Sequence, residues 1–375
     1  MRARTACPGI TALLLTAALA APAAAAGSAP HGHTATREAV AAAVAAGVPG
    51  ATATARDAHG TWSTAAGTGD TRTGEPRSTA DRYRVASITK TFVATVLLQL
   101  EAEGRLSLDD TVERWLPGVV RGHGHDGREV TVRQLLNHTS GIHDYLADPD
   151  FARAYFTPEG FFAHRYRTLA PRELLDYAMR HEPDFAPGTS WRYSNTNYVL
   201  AGMVIEKVTG RPYATAVDRR IIAPLRLRAT SVPGTRTTLP EPSGRAYSTF
   251  KVPGRAVYDV TDLNPSMASS AGEMISDSAD LTRFYGALLG GGLLPARQLR
   301  EMRTTVATGT PGIRYGLGLT DTRLACGTHV WGHDGGIHGS ASEVAATAGG
   351  RHSLAVNFNA DWTGDTEAVV EKEFC

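Results

Sequence analysis

The chain has 375 residues, 42% of them hydrophobic and 20% charged, with a formal net charge of +1. That length supports a substantial core, arranged as two domains or one large composite one. The near-zero charge gives no electrostatic reason to expect nucleic acid or an anionic membrane as partner.

Arg2 and Arg4 open the chain, a short apolar core runs from Ile10 to Ala20, and Ala24, Ala25 and Ala26 precede Gly27. This is the pattern of a secretory signal peptide ending at residue 26, so the expectation is a secreted, extracellular protein. No later segment reads as a membrane span, and no stable membrane insertion is expected. Cys7 would leave with the leader. Cys326 and Cys375 remain, an even number in an oxidising compartment, for which one disulfide is the natural pairing and a free C-terminal thiol the alternative. Closing a loop of about 50 residues would stabilise by roughly 3–5 kcal/mol.

Residues 34–48 read as a helix ended by Gly47 or Pro49. Residues 51–66 and 80–86 alternate as short strands around the turn GTGDTRTGEP. The next helix is SITKTFVATVLLQLEAEGRL, with Ile88, Phe92, Val93, Val96, Leu97 and Leu100 at helical spacing and Gly104 as its stop. From about 105 to 260 the pattern is helical pieces joined by polar loops: TVRQLLNHTSGI, PRELLDYAMR, NYVLAGMVIEKVTG with Gly210 as C-cap, and residues 212–225. Segment 230–262 reads as loop.

From about 277, two helices (ADLTRFYGALLG and LPARQLREM) lead into short strands RYGLGLTDTR, THVWGHDG, SEVAATA and HSLAVNFNA, with a closing helix over 363–374. His31, His33, His123 and His125 read as solvated. With no zinc-type Cys/His cluster and no P-loop, neither a metal nor an organic cofactor is expected. The layout is α/β at both ends, about 35–100 plus 265–375, with a mostly helical second domain over 101–264 and the active site in the cleft between them.

Three stretches can carry chemistry. Ser87 and Lys90 share one helix face, and a lysine of lowered pKa can act as base for a serine hydroxyl. Taken alone, the pair is also an ordinary polar helix entrance. RYSNTNYV places Tyr193, Ser194 and Asn195 before a helix; a tyrosine near a lysine can relay a proton, and the bland reading is an Asx/ST turn. VWGHDGGIHGS sets His333 beside Gly335 and Gly336, where backbone can approach a ligand closely and an edge strand can offer an oxyanion N–H; the bland reading is a hairpin turn with a surface histidine.

SITK, YSN and HDG, in that order, make the chain resemble the serine β-lactamase/penicillin-binding protein superfamily, in the branch of class C β-lactamases, secreted D-alanyl-D-alanine carboxypeptidases, D-aminopeptidases and related esterases. EGRLSLDDTVERWLP, TVRQLLNHTSGI and SSAGEMISDSADLTRF fit the same branch, and the resemblance covers roughly residues 35–375. It implies a β-lactamase/transpeptidase-like α/β + α fold, with a mainly antiparallel sheet flanked by helices. It implies Ser87 as acylated nucleophile, Lys90 as its base and Tyr193 as proton shuttle. Asn195 would bind the acyl side-chain amide or orient Lys90. His333 would tune Tyr193 and contact substrate, with Asp334 and Gly335 beside it. Ser87 and Gly336 would supply the oxyanion-hole N–H groups. Cys326 matches a disulfide position of the Streptomyces-type carboxypeptidases.

Those carboxypeptidases place His-Thr-Gly here, with another hydroxyl residue just after and an arginine on the preceding strand, to hold a substrate carboxylate. This chain has Asp334, Gly336 and Thr320 at those positions, with Arg323 nearby. An ionised Asp334 would repel a bound carboxylate, unless it points away or pairs with Arg323; it could equally favour a free amine. The resemblance therefore implies a secreted serine hydrolase working through an acyl-enzyme on small peptide or peptidoglycan-type substrates and β-lactams. It is nominally a serine-type D-alanyl-D-alanine carboxypeptidase. The alternatives are a β-lactamase, a D-aminopeptidase or an esterase on the same fold. A non-catalytic binding protein would lack the nucleophile, base or tyrosine, and all three are present.

Overall fold

A computed structural model describes residues 32–250 and 256–375. The leader and Cys7 lie outside the described residues, as does His31. Nine antiparallel strands form the main sheet. In chain order they are β1 (Gly50–Asp57), β2 (Gly60–Asp70), β3 (Glu75–Pro76), β4 (Val306–Ala307), β5 (Ile313–Tyr315), β6 (Thr320–Arg323), β7 (His329–Ile337), β8 (Ser340–Ala346) and β9 (Ser353–Phe358). Across the sheet the order is β4-β5-β6-β7-β8-β9-β1-β2-β3, so the N-terminal hairpin pairs with the last strand of the chain.

Strand alternation sends successive residues to opposite faces. On β8, Val344 and Ala346 join the larger core while Ala345 between them joins the smaller one; on β9, Ala355 and its neighbours Leu354 and Val356 divide the same way. The smaller core holds α1 (Thr34–Ala45) and the C-terminal α5 (Thr366–Phe374) on one face. The Ala51, Ala53 and Ala55 side chains of β1 face it, and these small residues suit the Ala-rich α1. The other face carries α2 (Thr89–Ala102), α3 (Asn195–Thr209) and α4 (Ser278–Leu289) in one continuous core.

Helix α2 is buried nearly all round, from Thr89 to Leu98 and again at Leu100. That explains a segment apolar beyond one stripe. Helix α3 ends at Gly210 with φ of 68°, the left-handed C-cap its sequence predicts. Two short helices, Pro149–Tyr155 and Pro158–His164, were not anticipated; each has proline at its first position behind an Asp148 or Thr157 cap.

Two expectations of solvation need correction. His33 stacks on Trp62 and bonds Glu373, the α5 carboxylate that also holds Thr36 and His352. His125 is buried. Among the described residues no helix is long and apolar enough to cross a membrane.

Candidate active site

Ser87 lies in a single 3-10 turn, Ala86–Ile88, that runs into α2. Ala86 before it has φ of 47°, a left-handed conformation that costs a non-glycine residue on the order of 1 kcal/mol. His138 and Ser269, both close to this cluster in the fold, have φ of 62° and 46°. Three of the six non-glycine residues with positive φ among the described residues thus lie around one serine, as they can where structure over-determines a functional geometry.

Lys90 has no solvent exposure, and its Nζ has three oxygen partners: Ser87 Oγ at 2.8 Å, Asn195 Oδ1 at 2.8 Å and Ala271 O at 2.7 Å. Asn195 is oriented by its other end, where Nδ2 donates to Asp144 Oδ2 at 2.9 Å. The Ala271 carbonyl and the Asn195 Oδ1 can only accept. A neutral amine gives them its two N–H bonds and keeps one lone pair, directed at the Ser87 hydroxyl. Burial brings the Lys90 ammonium down to about 7, against the pull of the Asp144 and Asp334 carboxylates. The neutral base is therefore well populated near neutral pH.

Tyr193 precedes the α3 cap, and its ring lies 4.8 Å from Lys90 Nζ. Its hydroxyl bonds Ser87, and burial, with the Asp334 charge adding, holds it well above the ordinary phenol range. It stays a phenol and can pass a proton on.

His138 packs under the Tyr193 ring at 4.3 Å, and its Nδ1 accepts from Ser194 N and Asn197 Nδ2. Burial, and then Lys90 and His333, keep it neutral.

On the opposite wall, β7 lies against the nucleophile turn. A Cβ added at Gly335 would stand 2.2 Å from Val85 O and 3.2 Å from Ser87 N, so only glycine fits. Backbone groups alternate between the two edges of a strand. Thr320 of β6 pairs with Gly332 and its Oγ1 donates to Gly332 O, which places the Gly332, Asp334 and Gly336 backbone groups on the β6 side. The β6 pairing goes no further than Thr320, so that edge is open to Ser87 from Asp334 onward. The Gly336 N–H thus faces the space beside the Ser87 N–H, an arrangement able to hold an oxyanion.

His333 is buried, with Nδ1 donating to the Asp334 carbonyl at 2.6 Å and Nε2 accepting from Tyr315 OH at 2.8 Å. Burial lowers its pKa and keeps this neutral tautomer. Both ring nitrogens of His333 are engaged, its ring braces Tyr193 from 6.3 Å, and it lines one of the two cavities beside β7. The Asp334 side chain is 78% exposed and turns toward its own neighbour His333 at 3.6 Å. It does not pair with Arg323, which sits opposite His329 at the far end of the ladder.

Two cavities adjoin β7. One, of about 410 Å³, is lined by Thr320, His333, Asp334, Glu343, Asp365 and Glu367. Burial, with those three carboxylates adding, pushes Glu343 up to about 8, while a bond to Thr366 opposes. The other, of about 510 Å³, opens beyond Gly336. Among the described residues no group of three or more His, Cys, Asp or Glu could hold a metal ion.

The structure thus brings Ser87, Lys90, Tyr193, Asn195, Gly335 and Gly336 into one cluster. Asp144, His138 and Tyr315 complete it and were not singled out in the sequence. The NHTSG and RYG segments that carry His138 and Tyr315 had no isolated chemical signature. Cys326 and Cys375 lie as a bonded pair, with Cα atoms 5.8 Å apart, tying the β6–β7 turn to the end of α5.

The chain is 62% identical to a D-stereospecific amidohydrolase from Streptomyces sp., with a TM-score of 0.88 over 92% of this chain and 99% of that one. It is 30% identical to the D-amino acid amidase of Ochrobactrum anthropi SV3, with a TM-score of 0.75 over 90% and 97%. Penicillin-binding protein 4* of Bacillus subtilis is 35% identical over 161 residues, 42% of this chain and only 32% of that protein's length. The Beta-lactamase family model matches residues 36–369, and the chain belongs to that family of serine hydrolases and penicillin-binding proteins.

Proposed function

We propose that this protein is a secreted, D-stereospecific amide hydrolase that works through an acyl-enzyme on Ser87. The observation that carries the reading is the near-complete match, at 62% identity, to the Streptomyces amidohydrolase, joined to a Ser87–Lys90–Tyr193 cluster whose lysine is free to act as base.

Lys90 takes the Ser87 proton as Oγ bonds the substrate carbonyl carbon. The oxyanion forms between the Ser87 and Gly336 N–H groups. Tyr193 hands a proton to the departing nitrogen, the C–N bond breaks, and its own proton is replaced from Lys90. Water then adds to the ester, losing its proton to the same pair, and Ser87 leaves with a proton restored.

Carboxypeptidase action on D-alanyl-D-alanine ends ranks second. The position opposite Gly332 is Thr320 rather than an arginine, and the neighbouring cavity carries the Asp334, Asp365 and Glu367 carboxylates. A leaving group bearing a carboxylate would meet like charge there. An uncharged amide leaving group would not, and the Asp144 and Asp334 carboxylates favour an α-ammonium on the donor.

The test compares D-alanine amide, L-alanine amide and an N-acyl D-alanyl-D-alanine peptide. The expected order is D-amide well above both others, with no turnover in Ser87→Ala. Faster cleavage of the dipeptide end would move the assignment to carboxypeptidase.

A further inference from the structure

Arg84 carries a buried charge that the described residues around it do not balance. It is 3% exposed, on the short extended segment that leads into the Ser87 turn. Its Nη2 donates to the carbonyls of Thr237, Leu263 and Thr261, at 2.7, 3.1 and 3.4 Å. Nε and Nη1 are buried with no partner among the described residues. Asp262 and Glu273 act on the guanidinium through space, and neither bonds it. Burial draws it down to about 10, so it stays a cation at neutral pH.

Arg84 lines a cavity of about 10 Å³ between Gly244–Ala246 and the β7–β8 turn. Three arginines and no carboxylate line it. Arg77 has Asp81 at 3.4 Å and Arg245 has Asp259 at 2.6 Å, so Arg84 is the one of the three without an ion pair. Burial, with the Arg84 charge adding, brings the His338 imidazole at the wall down to about 4, against a bond to the Tyr155 carbonyl, so it is neutral.

A buried cation is costly unless an opposite charge meets it. Water would satisfy the free N–H groups and leave the charge. A cavity of this size admits about one water-sized body, which suits a monatomic anion and excludes phosphate, sulfate or a carboxylate.

We propose that this cavity is a halide site, in which chloride is held by Arg84 Nε and Nη1 beside Arg77. Arg84 stands three residues before Ser87, and its carbonyl accepts from Ser340 Oγ at 2.8 Å, so the site lies at the root of the catalytic turn. The inference is independent of the acyl-enzyme reading above.

The experiment melts the protein in sodium gluconate while sodium chloride replaces it at constant ionic strength. The Tm is expected to rise saturably, by about 2–5 °C, and bromide should act as chloride does. Arg84→Met should lose this increment. Because that variant can fail to fold, wild-type crystals are also soaked in sodium bromide, and a bromine anomalous peak is expected within hydrogen-bond reach of Arg84 Nε and Nη1. A Tm indifferent to the anion, an increment retained in Arg84→Met, or an ordered water with no bromine signal beside Arg84 would overturn the site.

Discussion

Lys90 can serve as base only while neutral, and burial is what makes that form accessible. Its conjugate acid titrates at about 7, so the active form is lost as pH falls through that value. The acylation rate should therefore drop about tenfold per pH unit below 7 and level off above it. A pH profile of kcat/KM with a neutral ester donor checks this; a flat profile from pH 5 to 8 would contradict it. Tyr193 has the opposite displacement, held well above the ordinary phenol range. It should impose no alkaline limb below pH 10. Tyr193→Phe keeps the ring on His138 and removes only the relay, so kcat for an amide should fall about 10²- to 10⁴-fold. An activated ester, whose leaving group needs no proton, should lose less; equal losses would argue for a packing role.

At the scale of elements, the site is a turn clasped by a strand. Val85–Ser87 and Gly335 are in contact through backbone, and Gly335→Ala puts a methyl within 2.2 Å of the Val85 carbonyl. That variant should lose most Ser87 acylation and about 1–3 kcal/mol of stability, read by turnover of an activated p-nitrophenyl ester and by urea unfolding. Gly336→Ala, where a Cβ meets nothing within 4 Å, is the matched control for backbone stiffening alone.

These two glycines also mark how far sequence reasoning reached. The helical spacing of α2, the Gly210 cap and the alternating strands β7 to β9 were legible because local periodicity and the fold agree. SITK, YSN and HDG were legible as three segments in order. What sequence did not supply was the direction of each side chain. His333 gives its two ring nitrogens to Tyr315 and the Asp334 carbonyl, a pairing the HDG segment does not announce. Asp144 entered the site only through Asn195, a partner 51 residues away. Such polar pairings across distant segments leave no periodic trace in the chain.

For the molecule as a whole, the chain closes on itself twice: β1 pairs with β9, and Cys375 bonds Cys326. The second closure spans 49 residues and holds the end of α5 to the β6–β7 turn. Helix α5 begins at Thr366, which lines both cavities beside β7, so the pair anchors one wall of each. The loop-entropy argument gives about 4 kcal/mol for a closure of this length, and native disulfides typically deliver about 2–4. For a core of this size that corresponds to a fall in Tm of about 3–6 °C on losing the bond. Protein made through an export pathway should therefore show no free thiol under denaturing conditions. Cys326→Ser should melt several degrees lower, and the same decrement should appear in wild type after reduction. Because the pair lies on the α5 side of the sheet and Ser87 on the other, an activated p-nitrophenyl ester should still be turned over in the variant at temperatures well below its Tm. A stoichiometric free thiol, or a Tm unmoved by Cys326→Ser, would show that the cysteines do not carry this closure in solution.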